Sequence, residues 1–81
     1  MGNFVSRWDF ITKAVSVNPA VDTELENSAL YIGGAGDVEV VLQGQTTSSI
    51  FAGIPAGTFL PIVCIEVKAA GTTASSILAV N

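Results

Sequence analysis

Turn-forming residues recur at short intervals along this chain and limit the length of any regular element. Glycine or proline punctuates the sequence at residues 18–19, 33–36, 44–45, 55–57 and 71–73. Glycine adopts backbone conformations that other residues avoid, and proline cannot donate a backbone hydrogen bond, so both interrupt regular structure. No window of ten residues repeats its apolar side chains with a helical period of 3.6. The spacing therefore predicts an all-β chain of short strands.

The segments between these turns predict six strands, which span residues 13–17, 29–32, 37–43, 47–52, 59–68 and 76–80. The acidic and polar residues 20–27 predict a surface loop. Residues 33–36 predict a hairpin turn between the second and third strands, and residues 54–57 fit a type I turn. We expect a small antiparallel β-sandwich or barrel-like fold in a single domain over residues 13–81, preceded by an extended N-terminal arm over residues 1–12.

The longest predicted strands are apolar on both faces. Alternation assigns one face to Phe59, Val63, Ile65 and Val67 and the other face to Leu60, Ile62 and Cys64. Hydrophobic residues make up 49% of the 81 residues and charged residues only 12%, while a chain this short buries only about 60% of its unfolded surface. A second apolar face needs a neighbouring subunit to cover it, which predicts an obligate homo-oligomer. The interface residues predicted in the β domain are Phe59, Leu60, Ile62, Ile77, Leu78 and Val80.

The N-terminal arm carries three of the six aromatic residues, Phe4, Trp8 and Phe10. In an extended arm Trp8 and Phe10 point to the same side, because side chains alternate along an extended chain. Tryptophan commonly dominates the binding energy of an interface. We therefore predict that these three aromatic residues anchor the arm in a groove of a neighbouring protein. The alternative is that the arm folds back over its own core.

The residue types present argue against several classes of function. The chain has no histidine, a single cysteine and a net charge of −4, so it lacks the usual general base and has few groups that could neutralise phosphates. Cys64 lies among apolar residues and is expected to be buried. The uncharged stretch 40–65 contains polar residues as well as Pro55 and Pro61, which would break a membrane-spanning helix. We expect no catalytic residues, no cofactor, no metal site, and no nucleic-acid or membrane partner.

Two acidic patterns have competing interpretations. Asp22, Glu24 and Glu26 recur at every second position, so an extended loop would align three carboxylates that could gather Ca²⁺. A solvated acidic loop has the same pattern, and whether this loop binds a cation stays open. Asp37 and Glu39 share a strand face, and we expect them to keep an edge strand soluble rather than to act as a glycosidase acid pair.

Three blocks of sequence appear in a specific order: ALYIGGAGDV at residues 29–38, IPAGTFLP at residues 54–61 and AAGTTA at residues 69–74. Together they resemble the small head-spike base proteins of gene transfer agents and related tailed bacteriophages. Residues 14–19 also resemble the segment that precedes this core in that family. The resemblance covers residues 14–81 and leaves the N-terminal arm outside it.

The resemblance implies a structural virion protein on the outer surface of a capsid, either a head-spike base or a cement (decoration) protein. It implies a homotrimer or homopentamer that docks on the major capsid protein and can support a head-fibre protein, and it implies no catalytic residues. The alternative function is a carbohydrate- or receptor-binding module of a tail or fibre tip. For that alternative, Tyr31 and Phe51 are the aromatic residues near predicted loops.

Overall fold

The structure, a computed structural model, describes residues 13–81, in which all regular structure is β-strand. The strands are β1 (Ala14–Val17), β2 (Thr23–Gly34), β3 (Gly36–Leu42), β4 (Ser49–Ile54), β5 (Thr58–Lys68) and β6 (Ser75–Val80). They form one antiparallel sheet in the order β1-β6-β2-β5-β3-β4. The predicted all-β class with six strands is confirmed. The predicted N-terminal arm, with Phe4, Trp8 and Phe10, lies outside the described residues.

Strand β2 begins well before its predicted start, at Thr23. The predicted surface loop over residues 20–27 is therefore wrong from this residue onward. Thr23 pairs with Val67 of β5, which extends the sheet into the acidic segment. Polar residues fit in this half of β2 because Glu24 points to solvent while Leu25 packs against the core.

Residues 33–36 form a corner and not the predicted hairpin. Strands β2 and β3 each pair with β5, on its opposite sides, and have no pairing with each other. A Cβ atom on Gly36, whose φ is +153°, would lie 2.6 Å from the backbone nitrogen of Ala74. The backbone N–H of Ala74 donates to the carbonyl of Asp37 at 3.1 Å. Glycine is needed here because the link before β6 packs directly against the start of β3.

Two β-bulges bend β5. Between the pairs Ser28–Cys64 and Leu30–Leu60, β5 contains two residues more than β2. A second bulge at Ile65 interrupts the pairing of β5 with β3. Bulges kink a strand and increase its twist, so β5 can follow a curved path through the sheet.

The pairing register shows that the sheet cannot be flat. Ile32 of β2 pairs with Thr58, and Glu39 of β3 pairs with Lys68. If β5 were straight, these pairings would hold Ile32 and Glu39 roughly 33 Å apart, whereas the chain between the two residues reaches at most roughly 25 Å. The sheet therefore curls, in agreement with the barrel-like fold expected from the sequence.

The curled sheet surrounds one hydrophobic core to which all six strands contribute. The largest side chains at its centre, Leu30, Ile32 and Ile77, are almost completely buried. Both edge strands reach the same core, β1 through Val17 and β4 through Ile54. Among the described residues no helix is long and apolar enough to cross a membrane.

Candidate interaction surface

Large apolar side chains remain exposed on three of the strands. Val15 of β1 and Ile50 of β4 expose 47% and 57% of their surface, and Val63 and Ile65 of β5 expose 47% and 36%. Strands β1 and β4 are also the two edges of the sheet, so within residues 13–81 each has a strand partner on one side only. An open strand edge that also exposes a large apolar side chain is a favourable place for another protein to bind.

The interface residues predicted on β5 and β6 lie on both faces of the sheet. Ile77 is 1% exposed and offers no surface to a partner. Three others are also buried or packed against the core: Leu60, Ile62 and Val80. Phe59 and Leu78 are half-buried. An interface on these strands must therefore also use outward side chains such as Val63.

Strand β5 exchanges its inner and outer faces at the bulge. The sequence assigned Val63, Ile65 and Val67 to one face, but Val67 is completely buried while Val63 and Ile65 are exposed. The prediction for Val67 is wrong because the extra residue at Ile65 shifts the alternation by one position.

A groove of about 380 Å³ lies next to the end of β6, beside the bulge at which β5 contains two residues more than β2. We call it the apolar groove, after its apolar lining residues Ala29, Phe59, Pro61, Ile62, Val63 and Val80. Polar groups are supplied by Asn27, Ser28 and Asn81. Phe59, Ile62 and Val80 were predicted as interface residues, but the groove itself was not predicted. The available signal was Pro61, since a proline inside a strand pattern marks a bulge or an edge.

A second groove, of about 180 Å³, opens on the other face of the sheet near the same strand end. It contains Glu24 and Glu26, and we call it the acidic groove. The Nζ atom of Lys13 lies 3.7 Å from Oε1 of Glu26, in an exposed ion pair that contributes little to stability. This ion pair partly neutralises the carboxylates of the acidic groove.

The three carboxylates of residues 22–26 do not converge on one point. Oδ1 of Asp22 accepts a hydrogen bond from the backbone N–H of Ala69 at 2.8 Å, and Oδ2 lies 3.7 Å from Nζ of Lys68. Hydrogen bonding and charge from Glu66, with a smaller contribution from Asp22, raise the pKa of Lys68 above its ordinary value. Within residues 13–81 no three acidic or cysteine side chains are grouped so that they could hold a metal ion.

Asp37 and Glu39 hold strand β4 in place. Oδ1 of Asp37 accepts a hydrogen bond from the N–H of Gly53 at 2.8 Å, and Oε2 of Glu39 accepts one from the hydroxyl of Ser48 at 2.5 Å. The expectation that these acids keep an edge strand soluble is wrong, because β3 lies between β5 and β4. These two hydrogen bonds are made at the two ends of β4. The strand spans Ser49–Ile54, two residues later in the chain than predicted.

Cys64 is a free and completely buried cysteine, as predicted. Its thiol donates a hydrogen bond to the carbonyl of Ser28 at 3.2 Å. Burial raises the pKa of the Cys64 thiol to about 11. A thiol with that pKa stays protonated at neutral pH, so its environment suits packing and not nucleophilic attack.

The three sequence blocks that carry the resemblance meet at one end of the sheet. The N–H of Thr73 donates to the carbonyl of Asp37 at 2.8 Å, which joins the third block to the first. The N–H of Gly57 donates to the carbonyl of Ile32 at 2.8 Å, which joins the second block to the first. The blocks therefore form one structural unit that defines the corner between β2 and β3.

Comparison with known proteins returns no relative: the chain matches no family model, no curated protein and no solved structure. Its own residues and contacts therefore carry the functional argument.

Proposed function

We propose that this chain is a structural virion protein of the outer capsid surface, which assembles as a homo-oligomer and docks on the major capsid protein. The observation that carries the proposal is the exposure of Val15 and Ile50 on the two edge strands of a small curled sheet. Long apolar side chains at open strand edges favour association, and a protein that works as a monomer usually protects such edges.

The two exposed edges support a ring of subunits. Val15 lies on β1 and Ile50 on β4, so the two edge surfaces differ in sequence. When β1 of one copy meets β4 of the next, the contact is head-to-tail, and such a contact builds a closed ring when the rotation between copies closes and an open filament when it does not. This arrangement suits the homotrimer of a cement protein and the homopentamer of a head-spike base, either of which can support a head-fibre protein.

The resemblance to head-spike base proteins supports the location on a virion. Its three blocks lie in one hydrogen-bonded unit, so the similar residues are those that shape the sheet. Net charge agrees with an outer location, because a chain with charge −4 is poorly suited to contact packaged nucleic acid. The proposed role is one of binding and reinforcement, without catalysis.

Carbohydrate or receptor binding at a tail or fibre tip has less support in the described residues. Such a site usually presents exposed aromatic faces, whereas Tyr31 and Phe51 are both half-buried, and Phe51 packs against the core. We therefore place the virion role first.

The experiment that tests the proposal uses particles of the virus that encodes this chain. Particles lacking the gene are mixed with the purified full-length chain and imaged by electron cryomicroscopy. We expect added density at a symmetry axis of the outer shell, and reduced occupancy for Ile50→Asp because a charge at the edge opposes association. Val21→Asp is the matched control, since Val21 is 52% exposed but lies in the link between β1 and β2. Particles that bind none of the wild-type chain would overturn the proposal.

A further inference from the structure

We propose that the apolar groove binds Trp8 and Phe10 of the same chain's N-terminal arm. This inference goes beyond the proposed function, because it assigns an occupant to a surface within one subunit and does not depend on a capsid. It favours the alternative role, in which the arm folds back over its own subunit, over the predicted anchor in a neighbouring protein.

Strand β6 leaves a gap in the sheet beside the first half of β2. Strand β6 ends at Val80, which pairs with Ala29, whereas β2 continues back to Thr23. Within residues 13–81, the part of β2 before Ala29 pairs with β5 on one side and has no strand on the side of β6. The apolar groove and the acidic groove lie on opposite faces of the sheet at this gap.

The arm joins the described part of the chain beside this gap. The N–H of Lys13 donates to the carbonyl of Asn81 at 3.2 Å, and the N–H of Asn81 donates to the carbonyl of Lys13 at 3.0 Å. Asn81 lines the apolar groove. The arm therefore starts at the rim of the groove. An extended chain places Phe10 within roughly 10 Å of Lys13 and Trp8 within roughly 17 Å, so both rings can reach the groove.

Side chains along β1 alternate between the two faces of the sheet. Val15 pairs with Ala79 on the core side, while Ala14 pairs with Val80, which lines the apolar groove. If the alternation continues into the arm, even-numbered residues such as Trp8 and Phe10 share the face of the apolar groove.

The same alternation places odd-numbered residues of the arm on the face of the acidic groove. Arg7, one of only three basic residues in the chain, is odd-numbered and would face Glu24 and Glu26. One arrangement of the arm therefore directs the aromatic rings to the apolar groove and places the positive charge of Arg7 at the acidic groove, where it complements the carboxylates.

The short connection favours the arm of the same chain over that of a second copy. A short flexible tether holds a ligand at an effective concentration on the order of millimolar. The arm of a chain that is free in solution at micromolar concentration therefore competes poorly for the same groove.

Trp8 is the chain's one tryptophan and makes the proposal directly measurable. We expect blue-shifted Trp8 fluorescence in the full-length protein. Val63→Asp places a charge in the apolar groove and should shift the emission to the red, with about a twofold or greater increase in acrylamide quenching. Val21→Asp, which changes a similarly exposed residue in the link between β1 and β2, should leave the spectrum unchanged. Circular dichroism verifies that each variant is folded, and Val63→Ser replaces Val63→Asp if that variant unfolds.

A second measurement follows the groove itself. Trp8→Ala in the full-length chain should shift the methyl resonances of Ile62 and Val63 and leave those of Ile50 in place. The proposal would be overturned by a wild-type emission typical of a solvent-exposed indole. It would also be overturned if Trp8→Ala leaves the methyl resonances of Ile62 and Val63 unchanged. Dilution distinguishes the source of the arm: a blue shift that persists to nanomolar protein supports docking within one chain, and a shift lost on dilution overturns it.

Discussion

Two glycines with positive φ differ in what surrounds them. A Cβ atom at Gly36 would lie 2.6 Å from the backbone nitrogen of Ala74 and 2.8 Å from the carbonyl carbon of Thr73. At Gly53, whose φ is +69°, no atom lies within 4 Å of that position. Backbone strain therefore disfavours a side chain at both residues, but steric overlap with neighbouring backbone exists only at Gly36.

We predict that Gly36→Ala lowers the free energy of unfolding by about 2 kcal/mol more than Gly53→Ala does. The link before β6 cannot move away from Gly36 without losing the hydrogen bonds that Asp37 accepts from Thr73 and Ala74. Urea unfolding of the two variants, followed by circular dichroism, measures the difference. Equal losses would show that the corner can accommodate a methyl group.

At the scale of elements, β5 determines the shape of the sheet. It pairs with β2 on one side and β3 on the other, and its bulges on the two sides bend the sheet around the core. The bulge at Ile65 also decides which side chains the core receives, because Val67 is buried beyond it and Val63 is exposed before it. The residue inserted at Ile65 thus sets the burial pattern and contributes to the curvature.

The pair Val67→Ala and Val63→Ala tests this exchange of faces on a single strand. We expect Val67→Ala to reduce the free energy of unfolding by about 2 kcal/mol, since it removes buried apolar groups and leaves a cavity. Val63→Ala should cost less, about 1 kcal/mol, because its side chain lines a surface groove and lies outside the core. Chemical denaturation gives both values, and similar losses would mean that β5 keeps one face inward along its whole length.

For the whole molecule, one small core leaves apolar surface on both edges of the sheet. Val15 and Ile50 lie on different edge strands. A symmetric contact, in which two copies meet through the same edge, would therefore cover only one of these two side chains. In the proposed homo-oligomer, association of several copies would bury these side chains and stabilise the folded state by mass action.

We predict that the melting temperature of the wild-type chain rises with protein concentration. Ile50→Asp should abolish this dependence, while Val21→Asp, at an exposed position outside the strands, should retain it. Calorimetry over a hundredfold concentration range, with sedimentation velocity at each concentration, makes the comparison. A wild-type melting temperature that stays constant, in a sample that sediments as a monomer, would contradict self-association.

Local patterns in the sequence were sufficient for the fold class and for most strand positions. Turn residues and alternation predicted β1, β3, β5 and β6 to within one residue at each end, and they predicted the burial of Cys64. These features depend on backbone preferences and on the period of two along a strand, both of which are properties of neighbouring residues.

The tertiary structure alone decided which strands meet and in what register. The glycines at residues 33–36 fit a hairpin or a corner equally well, and only the packing of Ala74 against Gly36 selects the corner. Likewise, the acidic start of β2 becomes a strand through pairing with β5, and Val67 turns inward because of a bulge opposite β3. The apolar groove exists because β6 stops short of the end of β2. Each outcome depends on residues tens of positions away, about which local alternation carries no information.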